Sequence, residues 1–166
     1  MHYCYWNSTL NQESFHVVLY HPKIPYNTGN IVRLCANTGA SLHLIEPISF
    51  KLDDSKMKRA GLDYSDMTTI TTHKSLPAYT KRFPARRLIC CSPQKHKLYT
   101  EISYSFSDSI LFGSEDKGIP KSILSRSSNL ISIPMRPSNR SLNLSNAAAI
   151  VIYEAWRQLK FNTASA

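Results

Sequence analysis

Short apolar segments with strand character alternate with helix-like segments along most of the chain. Residues 15–20 and 109–112 are examples of the first kind, and residues 143–159 carry apolar side chains three and four positions apart, as a helix does. Strands that alternate with helices are typical of βαβ units. The sequence therefore predicts an α/β fold, with a mainly parallel sheet flanked by helices on both faces.

The individual elements follow from the same pattern. A chain of 166 residues fits one domain. We assign residues 15–160 to that domain, residues 1–14 to an N-terminal appendage and residues 161–166 to a frayed tail. We predict strands at residues 15–20, 42–45, 67–72, 87–91, 109–112 and 130–133, and helices at residues 29–38, 53–60, 75–82, 120–126 and 143–159.

The charge balance points to a polyanionic partner. The chain has 20 Lys and Arg against 11 Asp and Glu, a net charge of +9. Nucleic acid is the partner that this balance favours, ahead of acidic lipid, and a basic surface without a partner stays open as an alternative. No apolar run approaches the ~20 residues of a membrane span, so we expect no membrane association.

The cysteines and histidines indicate a cytoplasmic protein without a metal site. The four cysteines contain no Cys-x-x-Cys pair, and we expect reduced thiols. The six histidines show no ligand spacing with the cysteines, so we expect no metal. The start of the chain lacks the basic and apolar segments of a signal peptide.

Three polar loops follow predicted strands and are the candidates for a ligand site. They are residues 25–33, 112–118 and 133–146. Helix capping or a solvated turn could explain the first two, but the third has more serines and asparagines than caps require. Ligands of open α/β folds bind beyond the carboxyl ends of the strands. The loops lack the P-loop, dinucleotide and nucleophile-elbow patterns.

These loops, in this order, resemble the motifs of the SPOUT superfamily of RNA methyltransferases. The matching segments are Asn27-Thr-Gly-Asn-Ile-Val-Arg33, Phe112-Gly-Ser-Glu-Asp-Lys-Gly118, and Ile133-Pro-Met with Ser141-Leu-Asn-Leu-Ser-Asn146. Residues 21–30, 34–39, 59–64 and 151–159 resemble more narrowly the tRNA (cytidine/uridine-2′-O)-methyltransferases that act on the wobble nucleotide. The resemblance covers about residues 15–160.

The resemblance implies a C-terminal trefoil knot, S-adenosylmethionine as the cofactor, tRNA as the substrate and a homodimer. The implied reaction is methyl transfer to a ribose 2′-hydroxyl. Two alternatives stay open: a SPOUT enzyme for another tRNA or rRNA site, and an RNA-binding module without catalysis. After residues 88–91 the family typically has Thr-Lys-Gly, whereas this chain has Ser92-Pro-Gln-Lys-His.

Site residues follow by position from the resemblance. Arg33 matches the catalytic arginine. Since a guanidinium stays charged, we expect it to clamp a phosphate and stabilise alkoxide charge rather than act as a base. Tyr153 either contacts the substrate or is a core aromatic. The implied cofactor contacts are Cys91, Gly113, Ile133 and Ser141; the catalytic residues are Arg33, Ser141 and Asn143; the substrate contacts are Arg33, Arg140 and Tyr153.

Overall fold

The computed structural model describes residues 14–51, 70–94 and 96–162. Within them, seven strands form one sheet in the order β3-β2-β1-β6-β4-β7-β5, and every neighbouring pair is parallel. The strands are β1 (His16–Tyr20), β2 (Ser41–Ile45), β3 (Ile70–His73), β4 (Arg87–Cys91), β5 (Lys97–Leu98), β6 (Asp108–Phe112) and β7 (Leu130–Ser132). The helices are α1 (Pro25–Thr38), α2 (Leu76–Arg82), α3 (Lys121–Leu124) and α4 (Leu144–Gln158).

The predicted fold class is confirmed, and most elements lie within a few residues of their predicted bounds. The predicted start of the first helix is wrong: α1 begins at Pro25 rather than at residue 29, since proline suits the first helical turn. Gly39 ends this helix with a φ of 71°. The short strand β5 was not predicted. The predicted helix at 53–60, strand residues 67–69 and residues 1–13 lie outside the described residues.

Helices cover both faces of the sheet because successive strand residues point to opposite sides. In β1, Val17 and Leu19 pack in the cluster that includes residues of α1 and α4. Val18 packs in the opposite cluster, which includes residues of α2 and α3. None of the helices in the described residues is both long and apolar enough to cross a membrane.

A cluster of buried histidines lies on the α2 face of the sheet. His16, His43 and His73 come from three adjacent strands, and the strand register turns all three to one side. His16 Nδ1 lies 2.9 Å from Tyr79 Oη, and His43 Nδ1 lies 3.0 Å from His73 Nε2. Burial lowers the pKa of both His16 and His43 to about 3, so these rings are neutral at neutral pH.

Two of the arginines that make the chain basic have a structural role. Arg87 forms an ion pair of 2.6 Å with Asp108, a carboxylate that is almost completely buried. Arg86 donates hydrogen bonds to the backbone oxygens of Phe106 and Asp108, at 2.8 and 2.9 Å. Both guanidinium groups therefore hold the start of β6 in place.

Candidate active site

The three polar loops meet around one cavity of about 280 Å³ at the carboxyl ends of β4, β6 and β7. The four residues predicted to contact the cofactor all line it, and so does Asn143. Ile24, Phe112, Ile119, Leu142 and Leu144 contribute apolar surface, and Asn27, Ser92, Ser114 and Glu115 contribute polar groups. The cavity therefore combines apolar walls with a small number of polar groups, as small-molecule sites do.

Gly113 is required at the end of β6 because the chain folds back on it. A Cβ at this position would lie 2.1 Å from the carbonyl carbon of Gly118 and 2.2 Å from the nitrogen of Ile119. The turn closes through a 2.8 Å bond from the Gly118 N–H to the Ser114 carbonyl, and Gly118 has a φ of 65°. The close approach that explains this glycine is thus made by the protein's own backbone.

Glu115 connects the second loop to the start of α1. Its carboxylate accepts hydrogen bonds from the backbone N–H groups of Lys23 and Ile24, at 2.9 and 3.1 Å, and from Asn27 Nδ2 at 3.0 Å. These backbone groups have no partner within a helix, and a negative charge is favourable at this end. The solvated-turn explanation of this acid is therefore wrong. The adjacent Asp116 pairs at the surface with Lys23.

Asn143 connects the third loop to the first. Its Nδ2 donates to Asn27 Oδ1 at 2.9 Å, and its Oδ1 accepts from the backbone N–H and the hydroxyl of Ser145, at 2.9 and 2.7 Å. The side chain thus caps α4 and holds it against α1 at the same time. Its predicted catalytic role stays a prediction, and the contacts observed here are positional.

Sequence reasoning did not identify Glu115 and Asn27 as site residues. An acid directly after a strand and an asparagine near a helix start are weak signals, and each has an ordinary explanation as a turn or a cap. Together with Asn143 they form a hydrogen-bonded chain that runs through all three loops. We call these three residues the loop network.

The predicted substrate residues lie outside the cavity of their own chain. Arg33 is exposed on α1, and Arg140 is exposed in the loop before α4. Tyr153 on α4 is 45% exposed and meets Trp156 edge-on, with the ring centroids 5.8 Å apart. The alternative of a core aromatic at position 153 is therefore wrong. Arg33 and Tyr153 belong to the same helical layer, since α1 and α4 pack on one face of the sheet.

A metal ion in a protein is held by a group of ligand side chains that lie close together. In the part of the chain that the structure describes, no group of three or more His, Cys, Asp or Glu side chains could hold one. The described cysteines, Cys35, Cys90 and Cys91, are free thiols. Burial raises the pKa of Cys91, which lines the cavity, to about 12, so its thiol stays protonated and unreactive at neutral pH.

Comparison of the sequence with known proteins found a matching family and similar relatives. Residues 14–153 match the SpoU rRNA Methylase family. A tRNA (cytidine(34)-2′-O)-methyltransferase of Saccharophagus degradans is 48% identical over 149 residues, which are 89% of this chain and 97% of that protein.

Solved structures share the fold. A structure described as giving insights into the 2-OH methylation of C/U34 on tRNA has a TM-score of 0.84 and 39% identity, and the match covers 90% of this chain and 98% of the other. An AdoMet-bound rRNA methyltransferase from Sinorhizobium meliloti has a TM-score of 0.78 at 24% identity, over 88% of this chain and 57% of the other. With a family match over most of its length and close relatives of nearly equal extent, the chain belongs to the SpoU rRNA methylase family.

Proposed function

We propose that this protein transfers a methyl group from S-adenosylmethionine to the ribose 2′-hydroxyl of nucleotide 34 of tRNA. The observation that carries the proposal is the convergence of the three motif loops on one cavity. The relative from Saccharophagus degradans, named for this reaction on cytidine 34, aligns over 97% of its length and supports the choice of substrate.

The lining of the cavity suits S-adenosylmethionine. Ile133 and Leu142 offer apolar surface for a nucleoside, and the hydroxyls of Ser92 and Ser141 can exchange hydrogen bonds with its polar groups. When bound, this cofactor supplies a methyl group activated by a sulfonium centre. Cys91, Gly113, Ile133 and Ser141 are the residues that would hold it.

The chain's own residues have to position the hydroxyl and stabilise the charge that develops on it. Holding two reacting atoms about 3–3.5 Å apart contributes much of the rate enhancement in such transfers. Because a guanidinium group does not act as a base in proteins, the role of Arg33 is to bind a neighbouring phosphate and stabilise the developing alkoxide. Ser141 and Asn143 orient the hydroxyl or the cofactor, and Arg140 and Tyr153 contact the RNA.

A homodimer would complete the site. Arg33 does not line the cavity of its own chain, and Tyr26 and Tyr153 expose 47% and 45% of their surface on the same helical layer. A second copy packed on this layer would bring its Arg33 to the cavity of the first. The proposal also includes the trefoil knot, a domain that extends from residue 15 to residue 160, and a cytoplasmic location, where tRNA is processed.

The proposal can be tested in cells and with purified protein. Nucleoside mapping of tRNA from cells that lack this protein should show loss of 2′-O-methylation at nucleotide 34. Unchanged methylation at this position would refute the proposed substrate. Purified protein should bind S-adenosylmethionine in a calorimetric titration, whereas an RNA-binding module without catalysis would not.

A substitution of Arg33 gives the most specific test of the proposed catalytic role. Arg33→Ala should slow methyl transfer by roughly 10²-fold or more, because transition-state stabilisation is lost, with cofactor affinity nearly unchanged. Loss of cofactor binding in this variant would contradict the assigned role. Lys97→Gln, which removes a charge from the edge strand β5, is the matched control and should keep full activity.

Mixed dimers test whether Arg33 acts on the partner chain. Ser141→Trp should fill the cavity from an exposed position and abolish cofactor binding. Random exchange between Arg33→Ala and Ser141→Trp chains should restore about one quarter of the wild-type sites, since half of the dimers are mixed and each has one complete site. No recovery after verified exchange would rule out a role across the interface.

A further inference from the structure

A second, open groove of about 1050 Å³ lies on the α2 and α3 side of the sheet. Tyr20 and His21 at the end of β1, and Lys74 after β3, contribute to its lining. The groove is close to the active-site cavity, because His21 lines the groove and Ile24 lines the cavity. The three residue steps from His21 to Ile24 span at most about 11 Å between the two Cα atoms.

Two cationic side chains of the groove have no ion-pair partner among the described residues. Lys74 and Arg126 line it and are exposed, and neither forms an ion pair with any residue that the structure describes. Glu46 is the one acidic residue among the groove's described lining residues. Elsewhere the carboxylates of Asp108 and Asp116 each have a basic partner. This groove is therefore suited to a polyanion.

The groove also contains an aromatic pair. The rings of Tyr20 and His21 are stacked, with centroids 3.8 Å apart and planes inclined by 18°. Both residues are half-buried, and Tyr20 packs against the hydrophobic cluster under α2. The His21 ring thus lies against a tyrosine ring that is itself packed on the core. Cations beside an aromatic face are the features that bind single-stranded nucleic acid.

We propose that this groove is a second contact surface for the substrate RNA, and that it binds single-stranded nucleotides adjacent to the one that is methylated. Lys74 and Arg126 bind backbone phosphates, and His21 stacks on a base. The inference rests on the proposed function, because it takes the RNA of that reaction as the occupant.

Two kinds of variant separate the contribution of the phosphate contacts to RNA binding from the contribution of base stacking. Lys74→Gln combined with Arg126→Gln should reduce the slope of log affinity against log salt by about 1.4, since each phosphate contact of a single strand contributes ~0.7. His21→Asn keeps a residue that tolerates the observed φ of 51°. It should weaken binding roughly 5- to 150-fold at fixed salt and leave the slope unchanged, because stacking on a base is lost.

The measurement is fluorescence anisotropy with the full-length protein and an anticodon stem-loop RNA, over a range of salt concentrations. Lys97→Gln combined with Lys160→Gln removes the same charge from exposed positions outside the groove and should keep the wild-type slope. Calorimetry with S-adenosylmethionine should give the wild-type affinity for every variant, which verifies the fold and the cavity.

The outcomes distinguish this inference from the proposed function. The wild type could methylate nucleotide 34 while the groove variants bind the stem-loop with the same affinity and salt slope as the wild type. The groove would then have another occupant, such as a protein partner, and the inference would be wrong. An equal loss of slope in the Lys97 and Lys160 control would also overturn it. If the wild type neither binds nor methylates tRNA, the proposed function itself fails.

Discussion

Acidification should destabilise this protein through His16 and His43 well before its carboxylates are protonated. Burial lowers the pKa of each imidazole from 6.5 to about 3 in the folded chain. As pH falls below 6.5, the unfolded chain binds protons at these positions and the folded chain does not. The stabilisation is therefore complete above pH 6.5 and is lost as pH falls towards 3.

The size of the effect follows from the two pKa values. Between pH 7 and pH 5, each histidine should reduce the free energy of unfolding by about 2 kcal/mol, and both together by about 4 kcal/mol. Burial also lowers the pKa of His73, which adds to the same loss. Since small proteins are stable by only about 5–15 kcal/mol, this is a large fraction of the total.

Urea denaturation followed by circular dichroism, at several pH values and one protein concentration, measures this effect. His43→Gln should reduce the dependence on pH by about 1.4 kcal/mol per pH unit below pH 6, whatever its effect on stability at pH 7. Phe15→Leu, on the opposite face of the sheet, should lower stability but keep the wild-type dependence. A wild-type change of less than about 1 kcal/mol between pH 7 and pH 5 would refute the reasoning.

Three further substitutions test the site and its support. Gly113→Ala should abolish S-adenosylmethionine binding in calorimetry, because the new methyl group would meet the Gly118 backbone at 2.1 Å; wild-type affinity would mean that the turn can move aside. Asn143→Ala should cost about 1 kcal/mol in thermal unfolding through loss of the α4 cap, and should slow methyl transfer; an unchanged melt and rate would contradict its positional role. Arg87→Met should cost roughly 3 kcal/mol in urea denaturation by leaving a buried carboxylate unpaired, and adding Asp108→Asn should recover part of that loss.

Local pattern predicted six of the seven described strands, because these six are short runs of apolar or β-branched residues. It failed where tertiary contacts decide the structure. Strand β5 consists of Lys97 and Leu98, which have no marked strand character, and it forms because it pairs with β7. The start of α1 at Pro25 follows from a proline and a carboxylate cap supplied by Glu115, which is distant in sequence.

The candidate site was predictable as a set of loops but not as a network. Cys91, Gly113, Ile133 and Ser141 line one cavity, as the family resemblance implied, although cofactor binding by them stays a prediction. The bonds of the loop network join residues 88 and 116 positions apart, and no local spacing encodes them. The histidine cluster was missed for the same reason, since its three rings come from separate strands.

The two-residue strand β5 limits how copies of this protein can associate. A sheet edge offers unpaired backbone groups to any other strand, and very short edge strands are one way in which proteins avoid such pairing. An intruding chain would gain few hydrogen bonds along β5. Growth of the sheet from molecule to molecule is thus disfavoured at this edge, and the proposed homodimer would instead depend on side-chain contacts of the layer formed by α1 and α4.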